Sequence, residues 1–435
     1  MERKIYCVNE LNKEQEKQLR ENSVPIDFPE NIASLTEKDI IPEHFENRKD
    51  FCNSPVMSID CDSSKDLDDA ICVERIHDGF RLSVHIADVS AYIEPCSELD
   101  QIALLRGTSY YLPNLTIPML PRVLSENLCS LNPGVERLTL SVIMEFDNDG
   151  KLLRYEVVKG KIRSRVKGVY SEVDLLLNGS KDYNLLHKYR EVSASFADMV
   201  ALNKALQTQR IKRGALLEDD TKPIITVTKD DIKVIPRKRG LSEQIIESFM
   251  IEANHCAALY IAEHDLPGLF RVQESKANMA SYQPKRIHHK SLELASYVHF
   301  TSPIRRISDL IVSRIISMHL KGYSSDIIHT LFDEELPFIC ARATKRSRTA
   351  KHVQAKCERF CHERFFHSHY EERRTGVVVG FNDRNYPILR INDYNINIIS
   401  YALVGGHIGD KYSFNVDIGR TTNKLLAYRL KKILA

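Results

Sequence analysis

The order of apolar and polar residues divides the chain into stretches of two textures. Residues 56–59, Val-Met-Ser-Ile, are a short apolar run. Residues 70–88 then alternate, with Ile71, Val73, Phe80, Leu82, Val84 and Ile86 recurring at period two around His77-Asp78-Gly79. Alternation broken by such a turn predicts a hairpin with one buried face. Residues 139–165 continue in the same texture. Helical spacing takes over in residues 183–210, 243–263 and 308–321, and it places Glu247, Met250, Ile251 and Asn254 on adjacent turns. Residues 341–369 predict a long basic helix bearing Arg342, Lys345, Arg346, Arg348, Lys351, Lys356 and Arg359. Five short alternating runs follow, at 374–381, 387–391, 396–401, 412–416 and 425–430, separated by Asn, Asp and Gly. Five strands in so short a segment suit a small Greek-key barrel of the OB type, an architecture that often binds single-stranded nucleic acid.

Ahead of these elements, residues 1–50 are polar, with one helical stretch at 10–22 and then Pro25, Pro29 and Pro42. They read as an appendage or strap lying on the main body. The expected organisation is therefore an appendage (1–50), an α+β main domain with a mixed sheet surrounded by helices (51–370), and an OB-like barrel (371–435). No internal repeat or low-complexity tract interrupts it.

Composition narrows the class. With 435 residues, 43% hydrophobic and 28% charged, the chain has the make-up of a folded soluble protein of more than one domain. Ten cysteines are scattered along a sequence with no apolar leader, which suggests reduced thiols in a cytoplasmic setting. No apolar run is long enough to span a membrane. The net charge of +2 hides an asymmetry: residues 341–435 carry 18 Lys and Arg against 8 Asp and Glu, whereas residues 1–340 carry 43 against 51. A basic end on an acidic body suits a protein that holds a polyanion at one end and metal ions in the other part. A merely solvated basic face is the plainer alternative.

The candidate chemistry begins in residues 58–70, where Asp60, Asp62, Asp66, Asp68 and Asp69 fall within ten positions, relieved only by Lys65. Carboxylates so close repel unless a divalent cation sits among them, and hard oxygen ligands favour Mg²⁺, or Mn²⁺, over zinc. Two such ions would activate water and stabilise the leaving oxygen at phosphorus. An EF-hand is disfavoured because its glycine and glutamate positions hold Lys65 and Ile71. A solvated acidic loop stays open as an alternative. The second candidate is His299-Phe-Thr-Ser-Pro-Ile-Arg-Arg-Ile-Ser-Asp309, which sets Thr301, Ser302, Arg305 and Arg306 around a proline expected to start a helix. Two hydroxyls and two guanidiniums at a helix N-terminus form a phosphate site, unless the segment is only a structural cap. Cys357, Cys361 and His362, with His367 and His369, have helical spacing that suits zinc. Without paired CxxC elements, buried thiols on a helix face are the preferred reading.

Together the two segments resemble the catalytic (RNB) domain of the ribonuclease II and ribonuclease R family. Its signatures are an Ile-Asp loop ending in Asp-x-Asp-Asp-Ala and a Phe-Thr-Ser-Pro-Ile-Arg run. The resemblance extends over about residues 50–370. It includes Val84-His-Ile-Ala-Asp88, Tyr111-Leu-Pro113, Ile117-Pro-Met-Leu-Pro-Arg122, Leu124-Ser125, Leu128-Cys-Ser-Leu131, Arg213-Gly-Ala215 and Glu247-x-x-Met250. The barrel is similar to that family's S1 domain.

The resemblance implies 3′-to-5′ hydrolysis of single-stranded RNA by a two-metal-ion mechanism, with nucleoside 5′-monophosphates as products. It also implies that Asp60, Asp66, Asp68 and Asp69 are the metal and catalytic carboxylates and that Arg305 meets the scissile phosphate. Tyr111 and Tyr170 would contact bases, with Glu247, Thr301, Ser302 and Arg306 as further RNA contacts. A monomer is the favoured state, and no membrane partner is expected. The chain departs from the pattern in four places. Glu218 stands where the family has a base-stacking Phe, and the stretch from Glu247 to Arg305 is shorter. Near Gln354 the family has an acidic residue in Glu-Arg-Asp and none stands at that place here, and no cold-shock domains are expected in the 50 residues ahead. These departures bear on processivity and product size more than on the chemistry. The competing readings are an RNA-binding protein of the same fold with weakened catalysis, and a metal-dependent endoribonuclease, which would need an open groove.

Overall fold

The computed structural model describes residues 2–217, 221–228, 231–403, 406–419 and 424–433. The chain opens with helix α1 (Glu2–Glu21), and a strap containing the single-turn α2 (Glu30–Ala33) leads to the short strand β1 (Lys49–Asp50). The alternating region then gives β2 (Met57–Asp60), β3 (Asp69–Ile76) and β4 (Gly79–Ala87). Helix α3 (Glu98–Arg106) and a separate hairpin, β5 (Tyr110–Leu112) and β6 (Leu115–Ile117), precede the long pair β7 (Glu136–Asp147) and β8 (Leu152–Arg163), and β9 (Val166–Val169) follows. Seven of these strands form one mixed sheet in the order β1-β8-β7-β4-β3-β2-β9, in which β1 and β9 pair parallel with their neighbours.

Period-two alternation explains the two faces of that sheet. Ile71, Val73, Leu82, Val84, Ile86, Leu140, Val142 and Met144 all bury their side chains in one core, while the intervening positions include Glu74, Arg81 and Glu145. At the head of β4, Gly79 closes the two-residue turn against β7. A Cβ there would lie 1.9 Å from the carbonyl oxygen of Phe146, so the close approach needs glycine.

Helices cover the apolar face. They are α4 (Tyr170–Leu177), α5 (Tyr183–Lys188), α6 (Phe196–Lys212) and α7 (Leu241–Glu263), followed by α8 (Ile307–Leu320), α9 (Ser325–Phe332) and the 33-residue α10 (Leu336–Ser368). The helix expected over residues 183–210 is thus two helices, parted where Tyr189 and Val192 dive into the core. Between α6 and α7 lies a hairpin with no counterpart in the sequence expectations, β10 (Ile224–Val227) with β11 (Ile232–Ile235). After α7 comes another, β12 (Phe270–Val272) with β13 (Ser281–Gln283).

The last five strands are β14 (Arg374–Phe381), β15 (Pro387–Ile391), β16 (Ile396–Ile399), β17 (Lys411–Ile418) and β18 (Leu425–Lys432). They close into a barrel in the order β14-β15-β16-β18-β17, and two of them span the residues expected from the alternation. Its core takes in Val234 from the β10–β11 hairpin and Phe365 and Phe366 from α10, so the barrel is packed onto the main domain. Among the described residues, no helix is long and apolar enough to cross a membrane.

The strap is locked to the sheet by charge. Asp88, fully buried, pairs with Lys159 at 3.2 Å and with Arg48 of the strap at 2.8 Å, and it accepts a hydrogen bond from Ser90 Oγ at 2.7 Å. Burial works to raise its pKa, but the two cations hold the carboxyl below its ordinary value. The stability it contributes is therefore present above about pH 4 and is lost as the pH falls through its folded-state value. Asp88→Ala would remove the carboxylate that two buried cations share, and such a loss costs about 3–5 kcal/mol. Urea unfolding at pH 7 checks this: a change under about 1 kcal/mol would contradict the role given to the pair.

Candidate active site

The aspartate loop owes its shape to one apolar residue and several backbone bonds. Strand β2 ends at Asp60 and β3 begins at Asp69, so the two outer carboxylates stand on the sheet itself. Between them Leu67 plugs into the core, its N–H donating to Ser130 Oγ (3.1 Å) and its carbonyl accepting from Leu131 N–H (3.0 Å). The carbonyl of Asp68 accepts from Ala87 N–H at 2.9 Å, and Lys167 Nζ ties down the carbonyls of Asp62 and Ser64. Anchoring Leu67 places Asp66 and Asp68 on either side of it, at the rim of one cavity.

That cavity has a volume of about 450 Å³ and receives all four expected aspartates. Asp62 is exposed and stays outside it. Asp68 is buried; its Oδ1 accepts from the backbone N–H of Ile304 at 2.7 Å, while its Oδ2 has no hydrogen-bond partner and faces Arg305 Nε at 3.4 Å. Burial pushes Asp68 well above the usual carboxylate range. Burial together with the charge of Asp60 raises Asp69 to about 7, and burial raises Asp60 as well. Arg305 opposes all three shifts. Tyr111 donates from its hydroxyl to Asp66 Oδ2.

The second segment differs in part from its expected form. Pro303 lies in a turn ahead of α8, which begins only at Ile307. The N-terminus of that helix is filled from within, because Asp309 accepts from Ser302 N–H (2.8 Å), Arg306 Nη2 (2.6 Å) and Ser308 Oγ (2.8 Å). Arg306 is therefore paired with a carboxylate of its own chain, although it still lines the cavity with Thr301, Ser302 and Arg305. Arg305 remains half-exposed, steadied by Ser302 Oγ at 2.8 Å. Thr301 and Ser302 are buried at the cavity wall.

Tyr111 and Tyr170 line the cavity as expected, with Glu247, Met250 and Asn254 of α7. Glu247 is gripped by Arg210 Nη2 at 3.0 Å and by Arg239. Sequence reasoning gave no role to Tyr297 or His299. Asn254 donates to Tyr297 Oη at 3.0 Å, and His299 Nδ1 lies 2.7 Å from Tyr282 Oη. Burial and neighbouring arginines hold His299 well below its ordinary pKa, hence neutral. Also missed was a second cavity, of about 650 Å³, that shares Glu247 and is lined by Arg210, Arg237, Lys238, Arg239 and, from the barrel, Arg390. A run of three basic residues at 237–239 was the signal available for it. Glu218 lies outside the described residues.

The donor set suits a hard divalent cation: four carboxylates on one cavity, several held above their usual pKa by burial, and one buried oxygen with no hydrogen bond. Among the described residues no three His, Cys, Asp or Glu groups already converge as a closed metal-binding cluster. Tyr111 holds Asp66 and Ile304 N–H holds Asp68, so closure on an ion would draw on these bonds. The zinc alternative fares worse. Cys357 and Cys361 sit in different apolar clusters, burial raises both thiols to about 12, and His367 turns to Asp417.

The model of the RNB domain family matches residues 48–280 and 275–322. The chain is 33% identical to Ribonuclease R of Thermotoga maritima, over 76% of this chain and 55% of that protein. It is 31% identical to Ribonuclease R 1 of Lactococcus lactis, over 81% of this chain and 50% of that protein. It thus spans little more than half the length of these curated relatives. In fold it is similar to the apo form of Mycoplasma genitalium RNase R, with a TM-score of 0.82 and 22% identity, over 95% of this chain and 77% of that one.

A metal-free cavity of this kind should make stability depend on pH in a definite direction. Asp69, whose folded-state pKa lies above its unfolded value, contributes stability that fades as the pH rises from about 4 through 7. A bound cation reverses that loss, by about 2.7 kcal/mol at a hundredfold excess over its dissociation constant. Mg²⁺ should therefore raise the unfolding midpoint more at pH 8 than at pH 5.5, and Asp69→Asn should narrow the difference. Equal shifts at both pH values would speak against the carboxylates as ligands.

Proposed function

From the premise that this chain belongs to the RNB domain family, we propose that it hydrolyses single-stranded RNA from the 3′ end and releases nucleoside 5′-monophosphates. The observation that carries this reading is the convergence of Asp60, Asp66, Asp68 and Asp69 with Arg305 and Tyr111 on one cavity, from three separate parts of the chain.

In this reading Asp60, Asp66, Asp68 and Asp69 hold two Mg²⁺ ions, for which Mn²⁺ can substitute. The ions when bound supply an activated water and neutralise charge at the phosphorus. The rest is the work of the chain's own groups. Arg305 is held 3.4 Å from Asp68 and free on its outer side, so it meets the scissile phosphate and offsets the charge that grows in the transition state. Tyr111 and Tyr170 offer aromatic faces to the terminal bases. Burial keeps water competition low and strengthens each of these interactions.

The shape of the cavity favours action at a chain end. A cavity of about 450 Å³ is the size of a small-molecule pocket, suited to a chain end rather than to a strand passing through. The strand behind that end has a path along the basic cavity that shares Glu247, toward Arg390 on the barrel. Phosphates replacing the carboxylate of Glu247 as partners of Arg210 and Arg239 would open the connection between the two cavities. The nine described cysteines are all free thiols, which suits a reducing, cytoplasmic compartment.

Asp68→Asn tests the assignment. It should lower the cleavage rate by at least about 100-fold, the scale seen when an electrostatic group is removed from a transition state. RNA affinity should stay within about twofold, because the arginines of the second cavity are untouched. A variant that still cleaves at a tenth of the parent rate would refute the role of Asp68, and a parent protein that binds RNA without cleaving it would establish the non-catalytic alternative.

A further inference from the structure

The hairpin β5–β6 that carries Tyr111 is a two-stranded sheet of its own, outside the seven-stranded sheet. Such a hairpin is marginal without support. Its turn adds to the need. Leu112 pairs with Leu115, so the loop is Pro113-Asn114 alone, and Asn114 has φ +60°. Proline followed by a left-handed residue is the pattern of a type II turn, whose twist splays hairpin strands instead of matching them. The carbonyl of Pro113 stands at the centre of that turn, outside the strand ladder.

Helix α1 supplies the missing partner. Gln15 is buried, and its Nε2 donates to the carbonyl of Pro113 at 2.6 Å and lies 3.5 Å from Asn114 Oδ1. Around this bond Leu19 and Val24 from the N-terminal segment and Val353 and Cys357 from α10 enclose Tyr110, Leu112 and Ile117. Strand alternation then turns Tyr111 the other way, into the aspartate cavity, where its hydroxyl holds Asp66. The helix is itself fixed along α10 by the pair Glu10–Arg364 at 3.0 Å and by Leu11 against Ile232 and Cys361.

We infer that α1, through Gln15, is a positioning element of the active site: it sets the hairpin that presents Tyr111 to the RNA end and to Asp66. The segment ahead of residue 48, where the match to the RNB model begins, thereby gains through α1 a function in nucleic-acid handling. The inference rests on the nucleolytic reading above, and the test separates the two.

The chain has no tryptophan, so Tyr111→Trp installs a single indole at the hairpin as an emission probe. Gln15→Met keeps the length and helix propensity of the side chain but removes the donor, and Gln15→Lys restores a donor of similar reach. With the probe, Gln15→Met should shift the emission and raise its quenching by acrylamide, and Gln15→Lys should reverse both. In the Tyr111 parent, Gln15→Met should lower kcat/KM for a single-stranded oligoribonucleotide by about 5- to 30-fold. On a Tyr111→Ala background it should add less than twofold, since the side chain that the hairpin presents to the cavity is no longer there to position. Emission that is the same for Gln15 and for both variants overturns the inference, and so does an undiminished effect of Gln15→Met on the Tyr111→Ala background. Should the Met variant not fold, Gln15→Lys read against the parent decides: parent-like emission and kcat/KM support the donor, and loss of both overturns it. Shifted emission in a protein that cleaves no RNA in any form would uphold the positioning and refute the nuclease.

Discussion

Everything around the aspartate cavity of this molecule depends on keeping carboxylates together against their own repulsion. Asp60, Asp66, Asp68 and Asp69 meet in a space that burial makes hostile to charge, with Arg305 as the cation that opposes the shifts of three of them. A loop left to itself would splay. It does not because Leu67 is sunk in the core, the carbonyls of Lys65, Leu67 and Asp68 are tied, and Asp68 reaches across to the backbone of Ile304. That last contact joins segments 236 residues apart and makes the aspartate loop and the Arg305 segment a single unit. The repulsion that remains is relieved by protonation of the buried carboxyls or by a cation among them.

The supports of the cluster extend outward in shells. Tyr111 fixes Asp66 and is carried by a small hairpin, which is wedged between α10 and the N-terminal helix. The same α10 runs on to the barrel, where Phe365 and Phe366 enter the barrel core beside Val234 of the β10–β11 hairpin. The barrel is thus held in place by α10, which also backs the hairpin carrying Tyr111. Its Arg390 lines the basic cavity with Arg210, Arg237 and Arg239 of the main domain, beside the acidic site.

How much of this could be read from the sequence divides along the range of the interactions involved. The aspartate loop, the β3–β4 hairpin, the long basic helix and the barrel strands declare themselves through spacing and turn residues within a few positions. Arg306 does not, because its partner Asp309 looks like any first-turn acid until Ser302 is seen to share it. The break between α5 and α6 is hidden because Tyr189 and Val192 keep the helical spacing of apolar residues while the chain bends to bury them. Gln15 is one polar residue in a polar helix, and nothing local distinguishes it. Its role exists only through Pro113, 98 residues away. The basic cavity is likewise assembled from α6, the 237–239 run and the barrel.

The aspartate cavity is proposed as a cation-dependent site acting on the 3′ end of RNA. The most direct measurement follows a 5′-labelled single-stranded oligoribonucleotide at single-nucleotide resolution, with Mg²⁺ and with Mg²⁺ plus chelator. The account predicts labelled fragments that shorten one nucleotide at a time from the 3′ end, with no shortening in chelator. Fragments produced at once by internal cuts, or shortening that continues in chelator, would contradict it.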